Sequence, residues 1–163
     1  MTDHEERRTR MTVVGIDPGM MGALIAIDGN QIVNWLDMPT IEIGKTKDLD
    51  AHTIRDWLTQ VGPVDMVVVE HVQGVQGSGA TSAFNFGAGW GMLRGLLVGM
   101  DRPVTLVRPQ RWTKDLAVGA DKGAHRRFAQ SQWPASAQLF TRVKDDGRAD
   151  AACLAHWWMR GNR

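Results

Sequence analysis

The run Val64-Asp-Met-Val-Val-Val-Glu70 constrains the fold of this chain more than any other stretch, being nearly unbroken β-branched sequence closed by a carboxylate. A strand that does not alternate polar and apolar residues is covered on both faces, which calls for a sheet between helices. Thr12-Val-Val-Gly-Ile-Asp17 likewise runs into a carboxylate, here at a Pro-Gly turn. Gly22–Asp28 follows, then Gly29-Asn30 as a hairpin signal, then Gln31–Leu36, so the first three strands read as an antiparallel meander. Leu49, Ile54, Trp57, Leu58 and Val61 have helical spacing and stop at Gly62-Pro63. Further on, helices are expected over Thr81–Met100, from Arg108-Pro109, over Lys122–Gln132 and over Arg148–Met159, with a strand at Val104–Val107. Three strands, then helix, strand, helix, strand and helices give an α/β fold, a mixed sheet with helices on its faces. With 163 residues and no repeat or linker, one domain over 11–163 is expected. The charged stretch 1–10 reads as a mobile tail, neither a leader nor a membrane anchor.

The hydrophobic fraction of 43% and charged fraction of 23% exclude bulk disorder. No apolar run approaches the roughly 20 residues that span a bilayer, so no membrane partner is expected. A single cysteine, Cys153, excludes an internal disulfide framework and a multi-cysteine zinc site; a reducing cytoplasm is the expected location. Cys153 itself reads as buried and inert. The net charge of +1 hides an asymmetry: Asp28–Glu70 carries −5, while Arg102–Arg127 carries +5. The basic region suits a polyanion and the acidic one a cation, although two solvated faces of opposite sign would account for the same figures.

Four carboxylates fall at strand ends or helix starts: Asp17, Glu70, Asp146 and Asp150, with Asp145 beside the third. If the first and fourth strands are neighbours, Asp17 and Glu70 come side by side. If the last helix packs there, Asp150 joins them, and Asp146 shares its face provided the helix already includes that residue. Crowded carboxylates call for a hard divalent cation, and two such ions suit phosphodiester hydrolysis. Singly, each acid also has a plain structural reading, as turn former, cap or salt-bridge partner. Glu70 fits that reading least, because it closes a buried run.

At these residues the chain resembles the RuvC family of Holliday-junction resolvases, in the RNase H-like superfamily, and is similar in particular to phage and prophage types. The likeness lies in Gly15-Ile-Asp-Pro-Gly19 with Gly22, Val68-Val-Glu-His-Val72, Gln76–Gly87, Val107-Arg-Pro-Gln-Arg-Trp112 and Asp145–Ala155. It implies an RNase H-like five-stranded sheet, three antiparallel strands then parallel ones, with helices on both faces. It further implies a bacterial, cytoplasmic homodimer, chromosomal or phage-encoded, that cuts four-way junction DNA using two Mg²⁺ ions, with Mn²⁺ as substitute. Asp17, Glu70 and Asp150 match the family's acids. The fourth position departs from the bacterial pattern, where Gly147 stands here, and points to Asp146 with Asp145 in reserve. The implied roles are Asp17 bridging two metals, Glu70 and Asp150 holding one each, and Asp146 orienting or deprotonating water.

Lys114 is expected to stabilise charge on the phosphate, or else to be a plain solvated lysine. Gln73, Gln76 and Ser78, in a glycine-rich stretch, are expected at DNA, with a simple connector as the alternative. Arg108, Arg111, Lys122, Arg126, Lys144 and Arg148 supply positive charge for phosphates. Phe84 and Phe86 read as junction or core residues, Trp157-Trp158 as core or dimer contact, and His52, His71, His125 and His156 as structural or exposed. The helix Ala83–Val98 offers small residues for a dimer face. Competing functions are an RNase H-like nuclease on other branched DNA or RNA–DNA hybrid, and a module that binds branched DNA without cutting.

Overall fold

A computed structural model describes residues 10–73 and 79–162. Gln76 and Ser78 lie outside the described residues, as do residues 1–9. The central sheet has five strands in the order β3-β2-β1-β6-β7. These are β1 (Thr12–Asp17), β2 (Ala23–Asp28), β3 (Gln31–Asp37), β6 (Met66–Glu70) and β7 (Val104–Val107). β1, β2 and β3 pair antiparallel, whereas β6 lies parallel to β1 and β7 parallel to β6. This is the expected meander followed by parallel strands.

Helices cover both faces. On one, α1 (Ala51–Val61) and α2 (Ala80–Gly99) enclose Val14, Ile16, Leu24, Val67 and Val69. On the other, α3 (Pro109–Asp115), α4 (Lys122–Gln132) and α5 (Asp146–Gly161) cover Val13, Ala23, Ile25 and Val68. Valines at successive positions of β6 thus enter opposite cores, which is why that strand does not alternate in polarity.

The boundaries differ from expectation for identifiable reasons. Leu49 ends a strand, because Asp50 caps α1 through the backbone N–H groups of His52 and Thr53. Asp65 precedes β6, and its carboxylate accepts the Thr12 N–H at 2.8 Å. A second, two-stranded sheet, β4 (Thr40–Ile43) with β5 (Thr46–Leu49), was not legible, since all four β4 residues are exposed. Pro134–Phe140 and Val143–Asp145 form short 3₁₀ turns, and α5 starts at Asp146, two residues before expectation.

Two glycines bring α5 onto the sheet. A Cβ at Gly15, in β1, would stand 1.8 Å from the Ala151 carbonyl oxygen, and one at Gly147 would stand 2.5 Å from that of Met21. The helix answers with small residues, Ala149, Ala151, Ala152, Cys153 and Ala155, all fully buried. Close approach of backbone to backbone fixes where Asp150 stands.

A candidate metal and nucleic-acid site at the sheet end

Asp17 ends β1 and Glu70 ends β6, one step beyond the paired residues Ile16 and Val69. Neighbouring strands lie about 4.8 Å apart, so the two carboxylates leave the sheet together. Both belong to the face that carries α5, and Asp150 enters from that helix fully buried. Three acids distant in sequence thus meet at one end of the sheet.

Burial pushes the Asp17 carboxyl up to about 7, with the charges of Asp150 and Glu70 adding to the effect. Burial also raises Glu70; the hydrogen bond from Trp112 opposes it, and the charge of Asp150 reinforces it. One oxygen of each acid engages a nitrogen donor of the protein. Asp17 Oδ1 accepts the Gly19 N–H at 3.2 Å, and Glu70 Oε1 accepts the indole Nε1–H of buried Trp112 at 3.0 Å. Asp150 Oδ1 faces His125 Nδ1 at 2.7 Å.

His125, read as structural or exposed, is buried beside Asp150. Its Nε2 faces the Gly119 carbonyl at 2.8 Å. Both ring nitrogens therefore meet acceptors, which favours a proton on each. Burial alone would lower its proton affinity, but the bonds to Asp150 and to Gly119 outweigh that and raise it. The edge of the ring also packs on Trp112, centroids 4.9 Å apart. A sequence signal existed: Lys122, His125 and Arg126 share one face of α4.

Lys122, expected at DNA, has its ammonium on Asp150 Oδ2. Burial disfavours that ammonium, but the Asp150 bond and the charges of Asp150, Asp17 and Glu70 more than compensate, so its proton affinity is raised. One turn on, Arg126, likewise assigned to DNA, pairs with Asp146. α4 and α5 therefore read each other as a two-rung ladder, Lys122 to Asp150 and Arg126 to Asp146. α5 does include Asp146, as the shared face required, but the partner of that carboxylate is Arg126. Among the described residues no group of three or more His, Cys, Asp or Glu is arranged around one ion position.

Asp145 is structural. It is buried, caps the turn through the Arg142 backbone N–H and receives the guanidinium of Arg142. Burial would raise its pKa, but the Arg142 bonds and the Arg148 charge hold it below the usual range. Arg148, expected at DNA, is 8% exposed and forks onto both oxygens of Asp37 at 2.6 Å while its guanidinium lies 4.0 Å from the Trp35 ring centre. Its charge ties α5 to β3 and is not presented to a ligand.

The remaining cations expected at DNA stand at the surface. Arg108, Lys114 and Lys144 are exposed, as is Gln73, and Arg111 is exposed beside Asp115 at 2.7 Å. Phe84 is exposed, whereas Phe86 lines a hollow with Pro18, Met20 and Leu49. Trp157 and Trp158 pack on the core, and Cys153 is buried with its thiol pKa raised by that burial, as expected. Among the described residues no helix is long and apolar enough to cross a membrane.

No protein-family model matches the sequence, and no curated protein sequence matches it. Solved structures do. Thermus thermophilus RuvC in complex with Holliday junction substrate superposes with a TM-score of 0.65 at 16% identity, covering 93% of this chain and 96% of that one. The yeast mitochondrial Holliday junction resolvase Ydc2 gives 0.56 at 16% identity, covering 92% and 79%. The fowlpox virus Holliday junction resolvase gives 0.51 at 14% identity, covering 94% and 100%. With its meander, its parallel strands and its helices on both faces, the chain has the RNase H-like fold of the RuvC-type resolvases.

Proposed function

We propose that this chain is a metal-dependent endodeoxyribonuclease that resolves four-way DNA junctions, hydrolysing one phosphodiester in each of two symmetrically placed strands. One observation carries the reading: Asp17, Glu70 and Asp150 converge at the end of a sheet whose solved counterparts are junction resolvases. The donors are of the hard-oxygen type that a divalent cation takes: the charges of Asp150 and Glu70 act on Asp17, and the cation that now balances them is the Lys122 ammonium on Asp150. Asp17, Glu70 and Asp150 would hold Mg²⁺, or Mn²⁺ in its place, and a pair of such ions supplies Lewis acidity to phosphodiester hydrolysis.

The other residues bind, orient and move protons. Asp17, flanked by the other two acids, is the central holder. Asp146 becomes free to accept a proton from the attacking water when Arg126 turns from it to a DNA phosphate. Exposed Lys114 stabilises charge on the phosphate, while Arg108, Arg111, Lys144 and Gln73 neutralise or hydrogen-bond the strands leading to the site.

Paired cuts need two sites related by a twofold axis, hence a homodimer. α2 supports one. Ala83, Gly87, Gly91, Gly95 and Gly99 lie four apart and are exposed, forming a ridge of small residues. A Cβ at any of those four glycines would meet nothing within 4 Å, so the monomer's own packing does not require them to be small. Exposed Phe84 and Val98 flank the ridge.

The test is cleavage of a labelled four-way junction, a flap, a plain duplex and an RNA–DNA hybrid in Mg²⁺. Paired cuts in opposite strands of the junction, abolished by Asp17→Asn with junction binding retained, are expected. Faster cutting of the hybrid, binding without cutting, or full activity in Asp17→Asn would each overturn the proposal.

A further inference from the structure

The β1–β2 turn, the end of β5 and the first half of α2 enclose a hollow of about 300 Å³. Pro18, which forms part of its wall, directly follows Asp17 at the end of β1. Consecutive Cα atoms are about 3.8 Å apart, so the hollow adjoins the sheet end where the carboxylates meet. Pro18, Met20, Leu49 and Phe86 make its walls apolar and give it one aromatic ring. Three polar side chains also border it, Ser82 and Asn85 from α2 and Asp48 from β5. By their spacing, Ser82, Asn85 and Phe86 share a face of α2, a different one from Ala83 and Gly87. Among the described residues no protein group hydrogen-bonds the Ser82 hydroxyl or the Asn85 amide. Asp48 Oδ1 accepts the Leu49 N–H at 2.7 Å, which fixes that carboxylate at the wall.

Ligand pockets run from about 300 to 1,000 Å³, so a hollow at the lower limit takes one heterocycle and not a whole nucleotide. Apolar walls, an aromatic ring and a few polar groups suit the flat face and the hydrogen-bonding edge of a nucleobase. Taking a base out of its stack costs least where stacking is already broken, as it is where strands exchange. We infer that this hollow is a base-binding subsite, which takes the unstacked nucleobase beside the phosphodiester at Asp17 and favours bases carrying an exocyclic amine over thymine. The inference rests on the reading above that the scissile phosphodiester lies at Asp17. Asp48 sets the preference, since a carboxylate accepts hydrogen bonds and does not donate them. Adenine, cytosine and guanine each offer it an amine, whereas thymine carries carbonyl oxygens where those amines stand. Asn85 and Ser82 both donate and accept, so they serve the rest of the edge.

In the test, the nucleotides at the centre of a labelled four-way junction are changed one at a time to each of the four bases or to an abasic site. Affinity of the full chain is measured in EDTA and cleavage in Mg²⁺. At one position we expect thymine to weaken binding and cutting by about fivefold or more relative to the best base. An abasic site there should weaken both at least as much. Asp48→Asn, which keeps the shape and adds a donor for a thymine carbonyl, should narrow that selection to about twofold or less or turn it toward thymine. Phe86→Ala should lose about fivefold or more on the intact junction and nothing further on the abasic one. Equal affinities and rates for all bases and the abasic site would overturn the proposal. So would selection against thymine that survives Asp48→Asn, or a Phe86→Ala loss of the same size on both junctions, which is the mark of a packing role alone. Selective binding by a parent protein that does not cut would overturn the nuclease reading and leave the subsite standing. Should Phe86→Ala fail to fold, Phe86→Leu, which fills the wall without a ring, replaces it in the same comparison.

Discussion

Replacing Gly15 by alanine tests the link between packing and site in one step. The added methyl would sit 1.8 Å from the Ala151 carbonyl oxygen and 2.9 Å from the Ala155 nitrogen, both backbone atoms of α5. Ordinary contact begins at 3.4 Å, so the helix must retreat by about 1.5 Å, and no side-chain truncation can relieve it. Overpacking usually costs about 1–3 kcal/mol, and an obstacle made of helix backbone belongs at the upper end. For a chain of this size each kcal/mol lowers Tm by about 2–4 °C, which gives a fall of roughly 6–12 °C. The displaced helix carries Asp150, and a misplacement of about 1 Å at a catalytic group can cost about a hundredfold in rate. Thermal melting followed by circular dichroism reads the first effect. Junction cleavage well below both melting points reads the second. A variant that melts within about 2 °C of the parent and cuts as fast would refute the reasoning.

Other expectations follow from the charges and the exposed ridge. In metal-free protein the Asp17 pKa, raised by burial to about 7 from 3.8, makes this carboxyl stabilising below the unfolded value; that stability is lost as pH rises through about 7. Tm should therefore fall between about pH 4 and pH 7, and Asp17→Asn should flatten that fall; a parent Tm independent of pH in this window would contradict it. Arg148→Ala should lose about 1–3 kcal/mol in denaturant unfolding, less than for a fully buried pair because Asp37 is largely exposed. Junction affinity of that variant should hold; a weakened salt-dependent affinity would return Arg148 to the DNA surface. Gly91→Leu should raise helix propensity by up to about 1 kcal/mol yet favour the monomer, measured by sedimentation. A dimer as tight as the parent's would exclude the α2 ridge as the contact.

What the sequence discloses here follows from the range of the interactions involved. β1, β2 and β3 are legible because Gly29-Asn30 and the carboxylate-terminated runs are local signals. Asp17 and Glu70 are legible as a pair once β1 and β6 are taken as neighbours. β4 and β5 are not, because a hairpin exposed to solvent carries no buried alternation. His125 is only partly legible: its place on one face of α4 with Lys122 and Arg126 is a local signal, but the partner Asp150 that gives it its place lies 25 residues away. Arg148 and Lys122 went to DNA on charge alone, since composition counts a cation but does not show whether a carboxylate of the same chain already holds it. Asp145 and Asp146, adjacent in sequence, part by local geometry, one folding back to cap its turn and the other opening α5.

The glycine-mediated contact of α5 with β1 has a consequence for behaviour on heating. The helix that contributes Asp150 is also the keystone of one core, so no temperature range exists in which the scaffold survives while the acids drift apart. Inactivation and melting should coincide, and heat-sensitive variants selected for lost activity should map to the alanine-lined interior of that helix as readily as to the acids themselves.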